Sequence, residues 1–108
     1  MDPVTAYERR DRVAFLDVRT DAEYEEGHIE NSVHIPLQQL PERHAELDPG
    51  DSYVAVCQVG QRSEFAASFL AARGFVAENL EGGLESWAAA GLPLVGDVKE
   101  GRAQYPQW

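Results

Sequence analysis

The chain has 108 residues, 44% hydrophobic and 26% charged, which suits one globular domain whose core buries roughly two thirds of the surface its unfolded form exposes. Nine basic residues against nineteen acidic ones leave a net charge of -10, a field that repels phosphate backbones and anionic lipid and argues against nucleic acid as a partner. The first twenty residues carry Asp2, Glu8, Arg9, Arg10, Asp11 and Arg12 without an apolar block, and no run approaches the ~20 apolar residues of a membrane span. The expected setting is the cytoplasm, with no membrane contact.

In chain order, VAFLDV (13–18) is a compact apolar run without strict alternation, as in a strand covered on both faces of a parallel sheet. Thr20 and Glu23 have the T-x-x-E spacing of a capping box, so DAEYEEG predicts a short helix ending near Gly27. SVHIP (32–36) reads as a short strand stopped by Pro36. LQQLPERHAEL (37–47) sets Leu37, Leu40, His44 and Leu47 near helical spacing, with Pro41 tolerated only in the first turn, and DPGD (48–51) follows as a turn. SYVAVC (52–57) is a further buried strand with a thiol at its carboxyl end. A helix should begin directly after the next loop, since Phe65, Ala66, Phe69 and Leu70 repeat with helical period and Arg73–Gly74 supplies its end. FVAENL (75–80) reads as a strand, and GGLESWAAAG (82–91) as a helix closed by Gly91, with Trp87 in the core. Strands alternating with helices imply an open α/β layer structure with helices on both faces.

Cys57 is the only cysteine, so no intramolecular disulfide forms. His28, His34 and His44 fit no i, i+4 ligand pair and read as surface or loop-bracing side chains, so no metal site is expected. In an open parallel sheet ligands bind beyond the carboxyl ends of the strands, where residues 57 to 62 are expected. The loop Cys57, Gln58, Val59, Gly60, Gln61, Arg62, leading to Ser63, is short enough that its backbone N–H groups should curl inward as an anion-binding nest, with Gly60 taking a positive φ. That nest, the helix N-terminus and Arg62 would together favour a thiolate at Cys57.

FLDVRTDAEYEEGHIENSVHIP, VCQVGQRSEFAASFL and NLEGGLESWAAAGLP resemble the successive signatures of a single rhodanese domain: D-V-R, E-(aromatic)-x-x-G-H-I, C-x-x-G-x-R-S and x-G-G-x-x-x-W. The resemblance spans residues 4–95 and leaves 96–108 as a C-terminal tail, in which Tyr105 and Trp108 have no assigned role. It implies an open, mostly parallel five-stranded sheet with helices on both faces. It also implies a sulfurtransferase in which Cys57 is the catalytic residue and cycles between thiolate and persulfide. Gln58, Val59, Gly60, Gln61, Arg62 and Ser63 would form the substrate cradle. Asp17 and Arg19, matching D-V-R, would brace the loop, and His28 would order a turn. The expected partners are a small-molecule sulfur donor such as thiosulfate and a thiol or cyanide acceptor, or a protein persulfide; no cofactor is expected.

Two other functions compete. Phosphatases and arsenate reductases of related fold also use a cysteine nest, but four residues separate Cys57 from Arg62 where the phosphatase loop has five, so the cradle should take one sulfur centre more readily than a tetrahedral oxyanion. A non-catalytic rhodanese module that only binds a partner is disfavoured because Cys57, Gly60 and Arg62 are all retained. A thioredoxin-like role lacks the second cysteine needed to resolve a disulfide.

Overall fold

The computed structural model describes residues 1–96. Its elements are α1 (Pro3–Glu8), β1 (Ala14–Asp17), α2 (Asp21–Glu26), β2 (Gly27–His28), β3 (Val33–His34), α3 (Leu40–Arg43), β4 (Ser52–Val56), α4 (Gln61–Ala71), β5 (Val76–Asn79), α5 (Gly83–Ala89) and β6 (Val95–Gly96). The tail from 97 to 108, with Tyr105 and Trp108, lies outside the described residues.

Strands β3, β1, β4 and β5 form one parallel sheet in that order, with Leu16 opposite Val33 and Ala55 and with Ala55 opposite Asn79. Alternation along the strands then splits the core in two. Leu16, Tyr53 and Ala55 face a layer closed by Leu40 of α3 and by Ala66, Ala67 and Leu70 of α4. Phe15, Val54 and Val56 face Ala6 of α1 and Leu84 and Trp87 of α5. The central strands are therefore buried on both sides, which is why their sequences read as unbroken apolar runs. Trp87 is the keystone of the second layer: it meets Tyr7 and Phe15 edge to face, and its ring N–H donates to the Pro93 carbonyl at 2.9 Å.

The capping box at α2 is present in both directions. Thr20 Oγ1 accepts from the Glu23 N–H at 3.3 Å, and Glu23 Oε1 accepts from the Thr20 N–H at 3.0 Å. Two sequence expectations change. Among the described residues the parallel sheet has four strands where five were expected; β2 and β6 instead form a separate antiparallel pair, Gly27 with Gly96 and His28 with Val95. Segment 37–47 is not one helix but α3 between two 3-10 turns, Leu37–Gln39 and His44–Glu46. Pro41 has no N–H to bond back to the carbonyl of Leu37, so the helix cannot run through that turn. Helix α1 has no counterpart in the sequence reading, although its signal is there: Asp2 caps it through the Thr5 N–H at 2.9 Å and Pro3 stands at its first position. Among the described residues no helix is long and apolar enough to cross a membrane.

Candidate active site

Cys57 is the first residue beyond β4, only 1% exposed, and the chain turns there into α4. Its Sγ accepts hydrogen bonds from the N–H of Gly60 at 3.1 Å, the N–H of Ser63 at 3.4 Å and the hydroxyl of Ser63 at 3.2 Å. Gly60 caps α4 with φ at 99°, a conformation open to glycine and strained for other residues, and this turns the loop amides inward.

A second helix fixes the outside of the same loop. The N–H of Leu84 donates to the carbonyl of Cys57 at 2.9 Å and that of Glu85 to the carbonyl of Gln58 at 3.1 Å, so two free donors at the start of α5 hold the loop carbonyls outward. Such an approach requires glycine: a Cβ on Gly83 would stand 2.5 Å from both carbonyl oxygens. The G-G pair before Trp87 thus belongs to the cysteine loop in space.

Burial alone would push the Cys57 thiol up. The Ser63 hydroxyl and the N–H groups of Ser63, Gly60 and Val59 outweigh it, so the thiol lies below its ordinary value. Asn79, at the end of β5, completes this arrangement. Its Nδ2 donates to the Gly60 carbonyl at 3.0 Å, which turns Oδ1 toward the Ser63 hydroxyl. Ser63 has one hydroxyl proton for two acceptors, and an ionised sulfur is the stronger of them.

Arg62, expected to favour the thiolate, has its guanidinium paired with a carboxylate. Its Nη1 and Nη2 donate to the two carboxylate oxygens of Glu23 at 2.8 and 2.9 Å. The Arg62 hydrogen bond, ahead of the opposing effect of burial, holds Glu23 at about 2, and the Glu23 hydrogen bond raises Arg62. The largest lowering influences on the thiol are thus Ser63 and the amides; Arg62 also feels the Cys57 charge, but less strongly than that of Glu23, with which it is paired. The remaining loop side chains diverge. Val59 is 48% exposed, Gln61 is exposed at the start of α4, and Gln58 is buried, with neither amide atom hydrogen-bonded in the described structure. Neither glutamine side chain donates to Sγ among the described residues.

Asp17 and Arg19 are fully buried and pair with each other, Nη2 to Oδ2 at 2.8 Å, and Arg19 Nη2 also donates to the Gly27 carbonyl at 2.6 Å. The pair ties the end of β1 to β2; it makes no hydrogen bond to the cysteine loop among the described residues. His28 and His34 stack on opposite sides of Tyr24, at 3.9 and 4.2 Å between ring centroids, while His44 packs against Phe69 elsewhere. The His28 ring bonds to the Tyr24 carbonyl at 2.8 Å, within its own turn.

Glu23 and Asn79 are the site residues that sequence reasoning missed. Glu23 was legible as a helix cap, but its pairing with Arg62 spans 39 positions. Asn79 reads as one polar residue in a strand, with only its place just ahead of the G-G pair as a signal.

A parallel sheet with a buried, hydrogen-bonded cysteine cupped between its strand ends and two helix starts defines an α/β domain with a cysteine-centred loop. The family model described as the rhodanese-like domain matches residues 2–90, and the chain belongs to that family. A Bacillus subtilis protein described as the putative sulfurtransferase YtwF is 36% identical over 86 residues, 80% of this chain and 84% of that one. The thiosulfate sulfurtransferase GlpE of Pseudomonas savastanoi pv. phaseolicola is 34% identical over 82 residues, 75% of this chain and 77% of that one. Among solved structures, a rhodanese-related protein from Thermoplasma volcanium superposes with a TM-score of 0.86 at 35% identity, covering 88% of this chain and 95% of its own. The family is thus one of sulfurtransferases.

Proposed function

We propose that the protein is a sulfurtransferase that carries a sulfane sulfur as a persulfide on Cys57. The observation that carries the reading is the set of three hydrogen bonds on a buried Sγ. In the first half-reaction the Cys57 thiolate attacks the outer sulfur of a donor such as thiosulfate; the sulfur–sulfur bond of the donor breaks and sulfite leaves with the electron pair. The product, a cysteine persulfide, is again an anion, so the donors that hold the thiolate also serve the intermediate. In the second half-reaction an acceptor thiolate or cyanide attacks the outer sulfur, and the Cys57 thiolate is restored. No proton has to move when the reactants are already anions, so no base is required beside the cysteine.

The cradle in this reading is the N–H groups of Val59, Gly60 and Ser63 with the Ser63 hydroxyl, and Cys57 is the one catalytic residue. Asp17 and Arg19 act at a distance by holding the end of β1. The sulfur donor is a small molecule or a protein persulfide, and a single reduced thiol suits the cytoplasm. The reading is tested by steady-state turnover with thiosulfate and cyanide: wild type should form thiocyanate with ping-pong kinetics and Cys57→Ser should form none, whereas full turnover by Cys57→Ser removes the assignment.

A further inference from the structure

Arg62 is the only cation supplied by the cysteine loop, and it is already engaged. Both outer nitrogens of its guanidinium meet both oxygens of Glu23, a two-point pairing of planar groups. The carboxylate is itself anchored, since Glu23 Oε1 also accepts from the Thr20 N–H at 3.0 Å and the Thr20 hydroxyl at 3.1 Å. Glu23 is 17% exposed and Arg62 38%, so water competes only partly for the pair. Gln58, Val59 and Gln61 add no charge, and the chain as a whole carries -10. An incoming anion thus meets a neutralised arginine, an uncharged loop and an unfavourable long-range field.

We infer that Glu23 sets the class of sulfur donor: by holding Arg62 in a neutral pair it handicaps dianionic donors such as thiosulfate and favours donors with a singly charged or uncharged head, such as an organic persulfide or a thiosulfonate. This rests on the sulfurtransferase reading above and names the donor class within it. Arg62 follows Cys57 by five positions in the same loop and already feels its charge, so removing the Glu23 charge leaves a net positive charge within electrostatic reach of the thiol, and its attraction scales with the charge on the donor. The fold-gain for a dianion is therefore about the square of the gain for a monoanion. A change in packing alone has no reason to follow that rule.

The test compares wild type, Glu23→Gln and Glu23→Asp. Gln also serves at the third position of a capping box, so the start of α2 is kept while the charge is lost; Glu23→Asp keeps the charge. The KM is measured for thiosulfate, a dianion, and for methanethiosulfonate, a monoanion, at low and high salt. In a second arm, sulfate, a dianion that transfers no sulfur, is titrated as a protector of Cys57 against iodoacetamide. Glu23→Gln should lower the thiosulfate KM several-fold and the methanethiosulfonate KM by about the square root of that factor. Both gains should shrink as salt rises, and sulfate should protect at lower concentration. Glu23→Asp should keep the wild-type ratio of the two KM values. Equal changes for the two donors, no change in either arm, or a Glu23→Asp ratio like that of Glu23→Gln would overturn the inference. If Cys57 takes sulfur from no donor, the sulfurtransferase reading fails instead, and the sulfate arm still decides the role of Glu23.

Discussion

Ser63 addresses Cys57 twice, through its N–H at 3.4 Å and its hydroxyl at 3.2 Å, and no other residue in the described structure gives the sulfur two hydrogen bonds. Its hydroxyl is the largest influence lowering the thiol, ahead of every backbone amide. Ser63→Ala should therefore raise the midpoint of the iodoacetamide rate against pH, and Arg62→Ala should raise it less, because Arg62 is paired with Glu23. An Arg62→Ala shift larger than that of Ser63→Ala would show that the arginine, not the serine, controls the thiol.

The depressed thiol has a stability consequence. A group whose pKa falls on folding contributes stability that is present above its unfolded pKa and lost as pH falls through its folded pKa. The stability difference between wild type and Cys57→Ser should accordingly grow in favour of wild type as pH rises toward the ordinary thiol value of about 8.5. Denaturant titrations across that range check it; a difference that stays flat means that the thiol titrates alike in both states.

Glu23 behaves in the same sense at lower pH. Its carboxyl falls from the ordinary 4.5 to about 2, so its pairing supports the fold above about 4.5 and is lost as pH drops toward about 2. The difference in Tm between wild type and Glu23→Gln should be widest near neutrality and close over that acid window. A difference independent of pH would mean that the Arg62 pairing does not act through the Glu23 charge.

Gly83→Ala should damage fold and site together. Its φ of 62° and the 2.5 Å approach of the new Cβ to the Cys57 and Gln58 carbonyls force α5 away from the loop. A cost of more than ~1 kcal/mol in denaturant unfolding and a fall in sulfur loading are both expected. Gly91→Ala has a similar φ of 74° but nothing within 4 Å of its Cβ, and should cost stability without slowing the loading. Equal loading by the two variants would separate α5 from the cysteine loop.

Asp17→Ala strands Arg19, which is 0% exposed, and should cost roughly 3–5 kcal/mol, since a buried charge is left without its partner. Replacing both residues, as in Asp17→Leu with Arg19→Met, should recover much of that loss. Chemical denaturation of the single and double variants decides the matter, and additive losses would contradict the account.

Much of this was legible because the relevant signals are local. The unbroken apolar runs around Leu16 and Val54, the Thr20–Glu23 box and the glycine at position 60 each fix a conformation within a few residues. What the sequence hid depends on partners far along the chain. Glu23 meets Arg62 only after β1 and β4 have aligned, and Asn79 reaches Ser63 only because β5 lies beside β4. The two-residue strands β2 and β6 pair through backbone without an apolar pattern of their own, so neither could be read as a strand. Segment 37–47 misled because its leucines keep helical spacing while Pro41 removes the bond that a continuous helix needs.

The central claim is that Cys57 carries the sulfur. Intact-mass spectrometry of wild type and Cys57→Ser, each incubated with thiosulfate, 3-mercaptopyruvate or a cysteine-desulfurase system, tests it most directly. Wild type should gain the mass of one sulfur atom with at least one donor and lose it on addition of cyanide or dithiothreitol, while Cys57→Ser gains none. A wild-type protein that gains no sulfur from any of the three, or a Cys57→Ser protein that gains it equally, would contradict the account.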